Sequence, residues 1–194
     1  MNLYLFDLDG TISDRDSMIE FFLFINHKKS FFIKSIQSIP YLFMYFIGIK
    51  NTGFTKSRII KIFLGSYTKA ELEDLSYKFA EHFNKFIKPS AKDFIKEVSS
   101  EEVNKVFIVT ASLEIWALPI AKSLNVKIIA TKAKFKENFF FDIDGKNCNG
   151  LEKVTRIKQI VNLKDFKKIY AFGDSSGDIE MLKIANRKFY KFFG

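Results

Sequence analysis

The stretch Leu3-Tyr4-Leu5-Phe6-Asp7-Leu8-Asp9-Gly10-Thr11 is an apolar run that ends in two carboxylates separated by one residue. An apolar run of this length, stopped by Asp and Gly, predicts a short buried β-strand. The carboxylate pair followed by Gly-Thr places a nucleophile, metal ligands and room for a phosphate at one strand end. This stretch therefore indicates phosphoryl chemistry.

Three further apolar runs end in polar or glycine-rich sequence, at about residues 103–109, 127–131 and 168–172. Because helical patterns alternate with these strands, the sequence predicts an α/β fold with a parallel sheet and helices on both faces. Ligands bind such sheets at the carboxyl ends of the strands, so one pocket is expected to collect the motifs. A small hairpin is also predicted over residues 135–144, with Asp144-Gly145 as its turn signal.

The segment between the first two strands is helical in pattern. Helices are expected over about residues 17–27, 31–47, 55–64 and 90–98. A further helix is expected to begin at the capping box of residues 68–71 and to end before Pro89. We therefore expect a helical cap at residues 14–96, inserted into a catalytic core made of residues 1–13 and 97–194.

The composition indicates which cellular compartment and which class of partner to expect. Thirty-one basic and 22 acidic residues give a net charge of +9, which favours anionic partners without choosing among phosphate esters, acidic membranes and nucleic acid. The single Cys148 excludes an internal disulfide, and the amino terminus lacks the features of a secretory signal. A reducing cytoplasm is the expected compartment.

Here the motifs support a resemblance. Four segments in chain order resemble the haloacid dehalogenase-like hydrolase superfamily: Asp7-Leu8-Asp9-Gly10-Thr11, the strand-terminal Thr110, Lys153 at a helix start, and Gly173-Asp174-Ser175-Ser176-Gly177-Asp178. Residues 109–112, 147–153 and 178–182 are similar to subfamily IB, the phosphoserine-phosphatase-like branch. The resemblance implies a Rossmann-like core with an inserted helical cap of type C1. Four short motifs in the right order are far more specific than any one of them.

Catalytic roles follow from the chemistry together with the resemblance. Asp7 would attack phosphorus and form an aspartyl phosphate, which divides one difficult displacement into two easier ones. Asp9 would protonate the leaving oxygen and later take a proton from the hydrolytic water. Family members that are not phosphatases commonly lack an acid at the second position, so Asp9 favours ester hydrolysis.

The resemblance also implies a Mg²⁺ site, because a carboxylate nucleophile and a phosphate repel one another unless a cation lies between them. The expected ligands are Asp7, the backbone carbonyl of Asp9, and Asp174, with Asp178 in the outer shell. The transferring phosphoryl group would be held by Thr110, Ala111 and Lys153.

Substrate contacts are expected from the cap. Asp16 occupies the place where phosphoserine phosphatases carry a Glu that binds the substrate amine, and Arg58 or Lys61 could bind a carboxylate or second phosphate. Solvated helix charges are the alternative for both basic residues. Residues 110–113 read Thr-Ala-Ser-Leu where those enzymes have Ser-Gly-Gly-Phe. The bulkier residues in place of the two glycines weaken the assignment of phosphoserine as the substrate. The expected substrate is therefore a small phosphorylated metabolite that the sequence does not identify.

Residues 21–70 contain no Asp or Glu but eight Lys and Arg residues among many aromatics. Within this region, residues 31–49 are apolar and near membrane-spanning length, but Lys34, Gln37 and Pro40 interrupt them. A cap helix packed on its neighbours is one interpretation. A peripheral amphipathic element at the membrane surface, suited to a lipid-linked phosphate substrate, is the other.

Two alternatives to a simple phosphatase stay open. The same site could transfer phosphate to an acceptor other than water. A basic, aromatic cap could serve a binding or scaffold protein, although such a protein is expected to have lost an essential Asp. Nucleic acid is not an expected partner, because no recognised binding motif accompanies the charge.

Overall fold

A six-stranded sheet forms the centre of the structure, a computed structural model that describes residues 1–194. The strands are β1 (Asn2–Phe6), β2 (Lys105–Leu113), β3 (Lys127–Lys136), β4 (Phe139–Asp144), β5 (Lys168–Gly173) and β6 (Arg187–Tyr190). Their spatial order is β4-β3-β2-β1-β5-β6, and every neighbouring pair is parallel except β3 with β4. The predicted parallel α/β sheet is confirmed, with the motif strand β1 between β2 and β5.

Eight α-helices accompany the sheet: α1 (Ser17–Ile25), α2 (Lys28–Phe46), α3 (Thr52–Leu64), α4 (Lys69–Phe83), α5 (Pro89–Ser100), α6 (Glu114–Ser123), α7 (Leu151–Ile160) and α8 (Ile179–Lys183). The predicted capping box is present, because Thr68 and Glu71 exchange their side-chain and backbone hydrogen bonds at the start of α4. No helix combines the length and apolar character needed to cross a bilayer.

Side chains alternate between the two faces of β1, as strand geometry requires. Leu3 and Leu5 lie in an 11-residue apolar cluster on one face. Tyr4 and Phe6 lie in a 28-residue cluster on the other face, which also includes buried residues of α1, α3 and α4. Because both faces are covered, the strand reads as a continuous apolar run.

Several predicted boundaries differ from the structure by a few residues, and two of the differences have a clear local cause. The hairpin exists, but its turn is at Glu137 and Asn138, both with positive φ, and Asp144-Gly145 only ends β4. Helix α3 begins at Thr52 rather than Thr55, because the Asn51 side chain accepts a hydrogen bond from Phe54 N and caps the helix. Both errors concern local turn chemistry rather than the elements themselves.

The proposed cut between residues 96 and 97 passes through α5. The Phe94 ring of this helix lies 6.4 Å from Tyr4, 6.2 Å from Phe6 and 5.4 Å from Phe172, measured between ring centroids. These partners belong to β1 and β5, so α5 lies against the sheet. The division into core and cap stays a prediction. The contacts of α5 place this helix with the core and not with the cap.

Candidate active site

The carboxyl ends of β1, β2 and β5 bring the predicted motifs together. Asp7 directly follows β1, and its backbone N–H donates to Phe172 O of β5 at 2.9 Å. Thr110 lies in β2, the strand on the other side of β1, and is buried. Asp174 follows β5. Adjacent parallel strands therefore place side chains that are far apart in sequence at one edge of the sheet.

Lys153 is a fully buried lysine at the centre of this edge. Its Nζ donates to Asp7 Oδ1 at 2.5 Å, to Asp178 Oδ1 at 2.6 Å and to Val109 O at 2.7 Å. Burial alone would lower the pKa of Lys153, but the two carboxylates outweigh that effect and raise it. All three ammonium protons are thus engaged, and the lysine stays charged.

The nucleophile candidate Asp7 has an unusual charge environment. Burial raises the pKa of Asp7 to about 7, the Asp178 and Asp9 carboxylates act in the same direction, and the Lys153 ammonium opposes them. Lys153 occupies Oδ1, and no hydrogen bond engages Oδ2. One oxygen of Asp7 is therefore free for a ligand or for attack.

Three carboxylates meet closely enough to hold a cation. One oxygen from each of Asp7, Asp174 and Asp178 lies within 4.8 Å of the others. The two Asp178 oxygens are already occupied: Oδ1 accepts from Lys153, while Oδ2 accepts from the Asp174 and Ser175 backbone N–H groups and the Ser175 hydroxyl. Asp178 is thus placed to support the site, while Asp7 and Asp174 keep oxygens for a metal.

Gly10 makes room for this arrangement. Its φ is +82°, and a Cβ atom there would lie 2.4 Å from Asp174 Oδ2. Any side chain would be strained and would displace that carboxylate. The Thr11 hydroxyl donates to Asp174 Oδ1 at 3.1 Å and fixes the same group from the other side. Hard carboxylate oxygens in this setting are the donors that Mg²⁺ prefers.

Asp9 is held by groups that the sequence did not indicate. Its Oδ1 accepts from the Ser17 backbone N–H at 2.7 Å, and its Oδ2 accepts from the Ser112 hydroxyl at 2.6 Å. The Ser17 and Ser112 hydroxyls lie 2.9 Å apart, and Trp116 Nε1 donates to the Ser17 hydroxyl at 3.1 Å. Burial raises the pKa of Asp9, with the Asp16 charge acting in the same direction. A raised pKa favours the protonated carboxyl group, which is the form that can donate a proton.

The end of β2 offers groups for an anionic ligand. The Thr110 Oγ1 accepts from the Ser112 backbone N–H at 3.0 Å, which leaves its hydroxyl proton available. The Ala111 carbonyl accepts from the Thr131 hydroxyl at 2.7 Å and from Lys56 Nζ at 2.9 Å. Lys56, on α3, thus also reaches this strand end.

Lys56 was not among the sequence candidates, since nothing in its helical pattern separates it from its neighbours. Its charge lies close enough to Asp9, Asp16 and Asp7 to interact with all three. Burial nevertheless lowers the pKa of Lys56, while those carboxylates oppose the shift. The structure therefore adds a partly desolvated cation to the predicted cluster of acids.

The other predicted cap residues are placed differently. Asp16 is exposed and caps α1, accepting from Ile19 N at 3.0 Å, although its charge still reaches Asp9. Arg58 Cζ lies 5.1 Å from the Phe54 ring centroid, and Lys61 Nζ lies 4.5 Å from the Phe141 ring centroid. The structure brings neither basic residue to the carboxylates.

Comparison with known proteins agrees with this geometry. A family model described as haloacid dehalogenase-like hydrolase matches residues 4–183. Protein CicA of Caulobacter vibrioides is 32% identical over 196 aligned residues, covering 98% of this chain and 86% of CicA.

Two solved structures show the shared fold. A protein of unknown function from Bordetella pertussis Tohama I has a TM-score of 0.82 at 22% identity, and the match covers 96% of this chain and 88% of that protein's chain. A phosphoserine phosphohydrolase-like protein from Francisella tularensis subsp. tularensis SCHU S4 has a TM-score of 0.66 at 19% identity, with coverages of 94% and 82%. With every predicted catalytic motif inside the matched range, the chain belongs to the haloacid dehalogenase-like hydrolase family.

Proposed function

We propose that the protein is a Mg²⁺-dependent phosphatase that hydrolyses a phosphomonoester of a small metabolite. One observation carries the proposal. Asp7 keeps one oxygen free while Lys153 holds the other at 2.5 Å, and Asp174 and Asp178 lie beside it. A carboxylate in this position is fixed in place for attack, and its charge is balanced by the lysine.

In the first step, Asp7 attacks phosphorus and the bond from phosphorus to the ester oxygen breaks. The leaving alkoxide takes the proton of Asp9, so the products are an aspartyl phosphate and an alcohol. A bound Mg²⁺, held by Asp7, Asp174 and the Asp9 carbonyl, would offset the charge of the phosphoryl oxygens. The Thr110 hydroxyl and the Ala111 backbone would orient those oxygens, with Lys153 close to them.

In the second step, water attacks the phosphorus of the aspartyl phosphate. Asp9, now ionised, takes a proton from that water, and the phosphorus–Asp7 bond breaks to release phosphate. The raised pKa of Asp9 supports its role as an acid in the first step. The hydrogen bonds that Asp9 accepts from the Ser17 backbone N–H and the Ser112 hydroxyl hold its carboxyl group in place.

The substrate class follows from charge. Lys56 contributes a cation near the acids, and its position beside the Ala111 carbonyl supports an anionic or strongly polar group on the substrate. We therefore propose a small phosphorylated substrate. Nucleic acid is not proposed, because no recognised binding motif accompanies the positive charge. Because Asp7, Asp9, Asp174 and Lys153 are all retained, a binding protein without activity is the weaker alternative.

The test is phosphate release from p-nitrophenyl phosphate, followed with and without Mg²⁺. Replacement Asp7→Asn is expected to lower kcat by at least about a thousandfold, since the amide cannot act as the nucleophile. Chelation with EDTA should abolish wild-type activity, and Mg²⁺ should restore it. Full activity of the Asp7→Asn protein would overturn the mechanism. Added alcohols that become phosphorylated would instead favour the phosphotransferase.

A further inference from the structure

Helix α2 presents its apolar side chains to the outside of the protein. The exposed large apolar residues of this helix are Phe32, Ile33, Ile36, Ile39, Leu42, Phe43, Tyr45 and Phe46. Phe46 is 87% exposed and Phe32 is 66% exposed. Six of them recur at spacings of three and four residues and so lie along one side of the helix: Phe32, Ile36, Ile39, Leu42, Phe43 and Phe46. Scattered exposed apolar residues are ordinary on protein surfaces, but a contiguous helical stripe indicates a binding surface.

The side of α2 that faces the protein is mixed: the Phe31 and Tyr41 rings lie 5.5 Å from Phe63 and 6.5 Å from Phe54, but polar groups lie beside them. Lys34 Nζ donates to Asn26 Oδ1 at 2.9 Å and to Phe63 O of α3 at 3.0 Å. Ser38 is 4% exposed, and its hydroxyl donates to Lys34 O at 2.9 Å within the same helix. A helix on the surface of a soluble protein usually turns its most apolar side toward the core, whereas most large apolar side chains of α2 point outward. The outward apolar side of α2 therefore remains without a partner in the folded chain.

Charge around this surface has one sign. Lys28 and Lys29 are exposed at the start of α2, and Lys50 is exposed just beyond its end. No Asp or Glu occurs anywhere in residues 21–70. An apolar stripe that is bordered by lysines and has no acidic residues complements a surface with an apolar interior and an anionic outer layer.

We propose that the outward side of α2 docks on the anionic surface of a phospholipid bilayer. The helix would lie in the plane of the membrane with its apolar stripe among the acyl chains and its lysines at the headgroups. It would not cross the bilayer, because no helix of the protein is long and apolar enough to do so. The partly buried hydrogen bond from Lys34 to Phe63 O would keep the opposite side of the helix on α3.

A second copy of the chain fits this surface less well. Two copies joined through α2 would bring Lys28, Lys29 and Lys50 of both chains to one interface with no carboxylate from residues 21–70 to pair with them. Like charges so placed repel one another, whereas anionic headgroups attract all of them. The proposal concerns where the protein binds and does not depend on the proposed phosphatase activity.

The test is co-sedimentation with vesicles of equal parts phosphatidylcholine and phosphatidylglycerol at low salt, against vesicles of phosphatidylcholine alone. The wild-type protein should sediment mainly with the anionic vesicles. The double variant Phe43→Asp/Phe46→Asp should lose binding by about tenfold or more, because two charges replace two inserted rings. The matched control Val103→Asp/Ile160→Asp introduces the same charges at exposed apolar positions elsewhere and should bind as the wild type does.

A further variant, Lys28→Glu/Lys29→Glu, should weaken binding to anionic vesicles and reduce its dependence on salt. Circular dichroism melting curves establish that each variant is folded. Equal sedimentation of the α2 variant and its control would overturn the proposal, as would wild-type protein that binds neither kind of vesicle. A wild-type dimer in light scattering that Phe43→Asp/Phe46→Asp dissociates, without vesicle binding, would assign the surface to a second copy.

Discussion

Lys153 is the residue on which both the stability and the chemistry of the site depend. Its ammonium is buried and makes one hydrogen bond with each of three acceptors, two of them carboxylates. A buried charge of this kind is stable only while its partners remain, and the partners need the lysine equally. Removing it would leave Asp7 and Asp178 as neighbouring buried acids without a cation.

We expect Lys153→Met to destabilise the protein by about 3–5 kcal/mol and to abolish phosphatase activity, because the loss of the ammonium leaves uncompensated buried charge. Urea unfolding followed by circular dichroism measures the stability. The matched control is Lys158→Met, at an exposed position of the same helix, which should change stability little. Equal effects of the two substitutions would contradict the role given to Lys153.

Lys56 and Lys61 provide a direct comparison within one helix. The structure places Lys56 Nζ on the Ala111 carbonyl at 2.9 Å, whereas Lys61 Nζ lies over the Phe141 ring. We expect Lys56→Met to raise KM for an anionic phosphomonoester about tenfold, because a charge-assisted contact to the substrate is lost. Lys61→Met should leave KM nearly unchanged. The reverse result, measured by steady-state kinetics, would restore Lys61 as the substrate contact.

At the scale of elements, α1 and β2 together position Asp9. Helix α1 supplies the Ser17 N–H and β2 supplies the Ser112 hydroxyl, so Asp9 is held between this helix and this strand. The Trp116 indole of α6 fixes the Ser17 hydroxyl. Movement of the cap relative to the sheet would therefore change the position of Asp9.

Ser112→Ala is expected to lower kcat about tenfold for an alkyl phosphate, because Asp9 loses one of its two hydrogen bonds and protonates the leaving oxygen less well. With p-nitrophenyl phosphate, whose leaving group needs little protonation, the loss should be much smaller. Ser99→Ala removes a hydroxyl that bonds only within its own helix and serves as the control. Equal losses with both substrates would argue against a positioning role.

The elements themselves were largely predictable, and the reasons are local. Continuous apolar runs identified β1 and β5, because strands buried on both faces need apolar side chains throughout. The start of α3 was misplaced because Asn51 and Thr55 are both plausible caps, and only the structure shows which side chain reaches a free N–H. The hairpin turn was misplaced because Glu137 and Asn138 adopt positive φ without a glycine.

At the scale of the whole molecule, the sequence predicted the motif residues but not how the cap meets them. Parallel topology brings Asp7, Thr110 and Asp174 to one edge once the strands are known. The contacts of Lys56 and Ser17 depend on how α1 and α3 are rotated and packed, which a helical pattern does not specify. The same limit applies to α2, whose periodicity shows an apolar side but not that this side faces outward.

The central claim is that Asp7 carries the phosphoryl group during turnover, and acid quenching tests it most directly. The protein is mixed with Mg²⁺ and an excess of ³²P-labelled phosphomonoester, quenched within the first turnover and digested, and the labelled peptide is identified by mass spectrometry. We predict a label that hydroxylamine releases, on the peptide containing Asp7, and none in Asp7→Asn. Hydrolysis at the wild-type rate with no covalent label, or with label on another residue, would contradict the account.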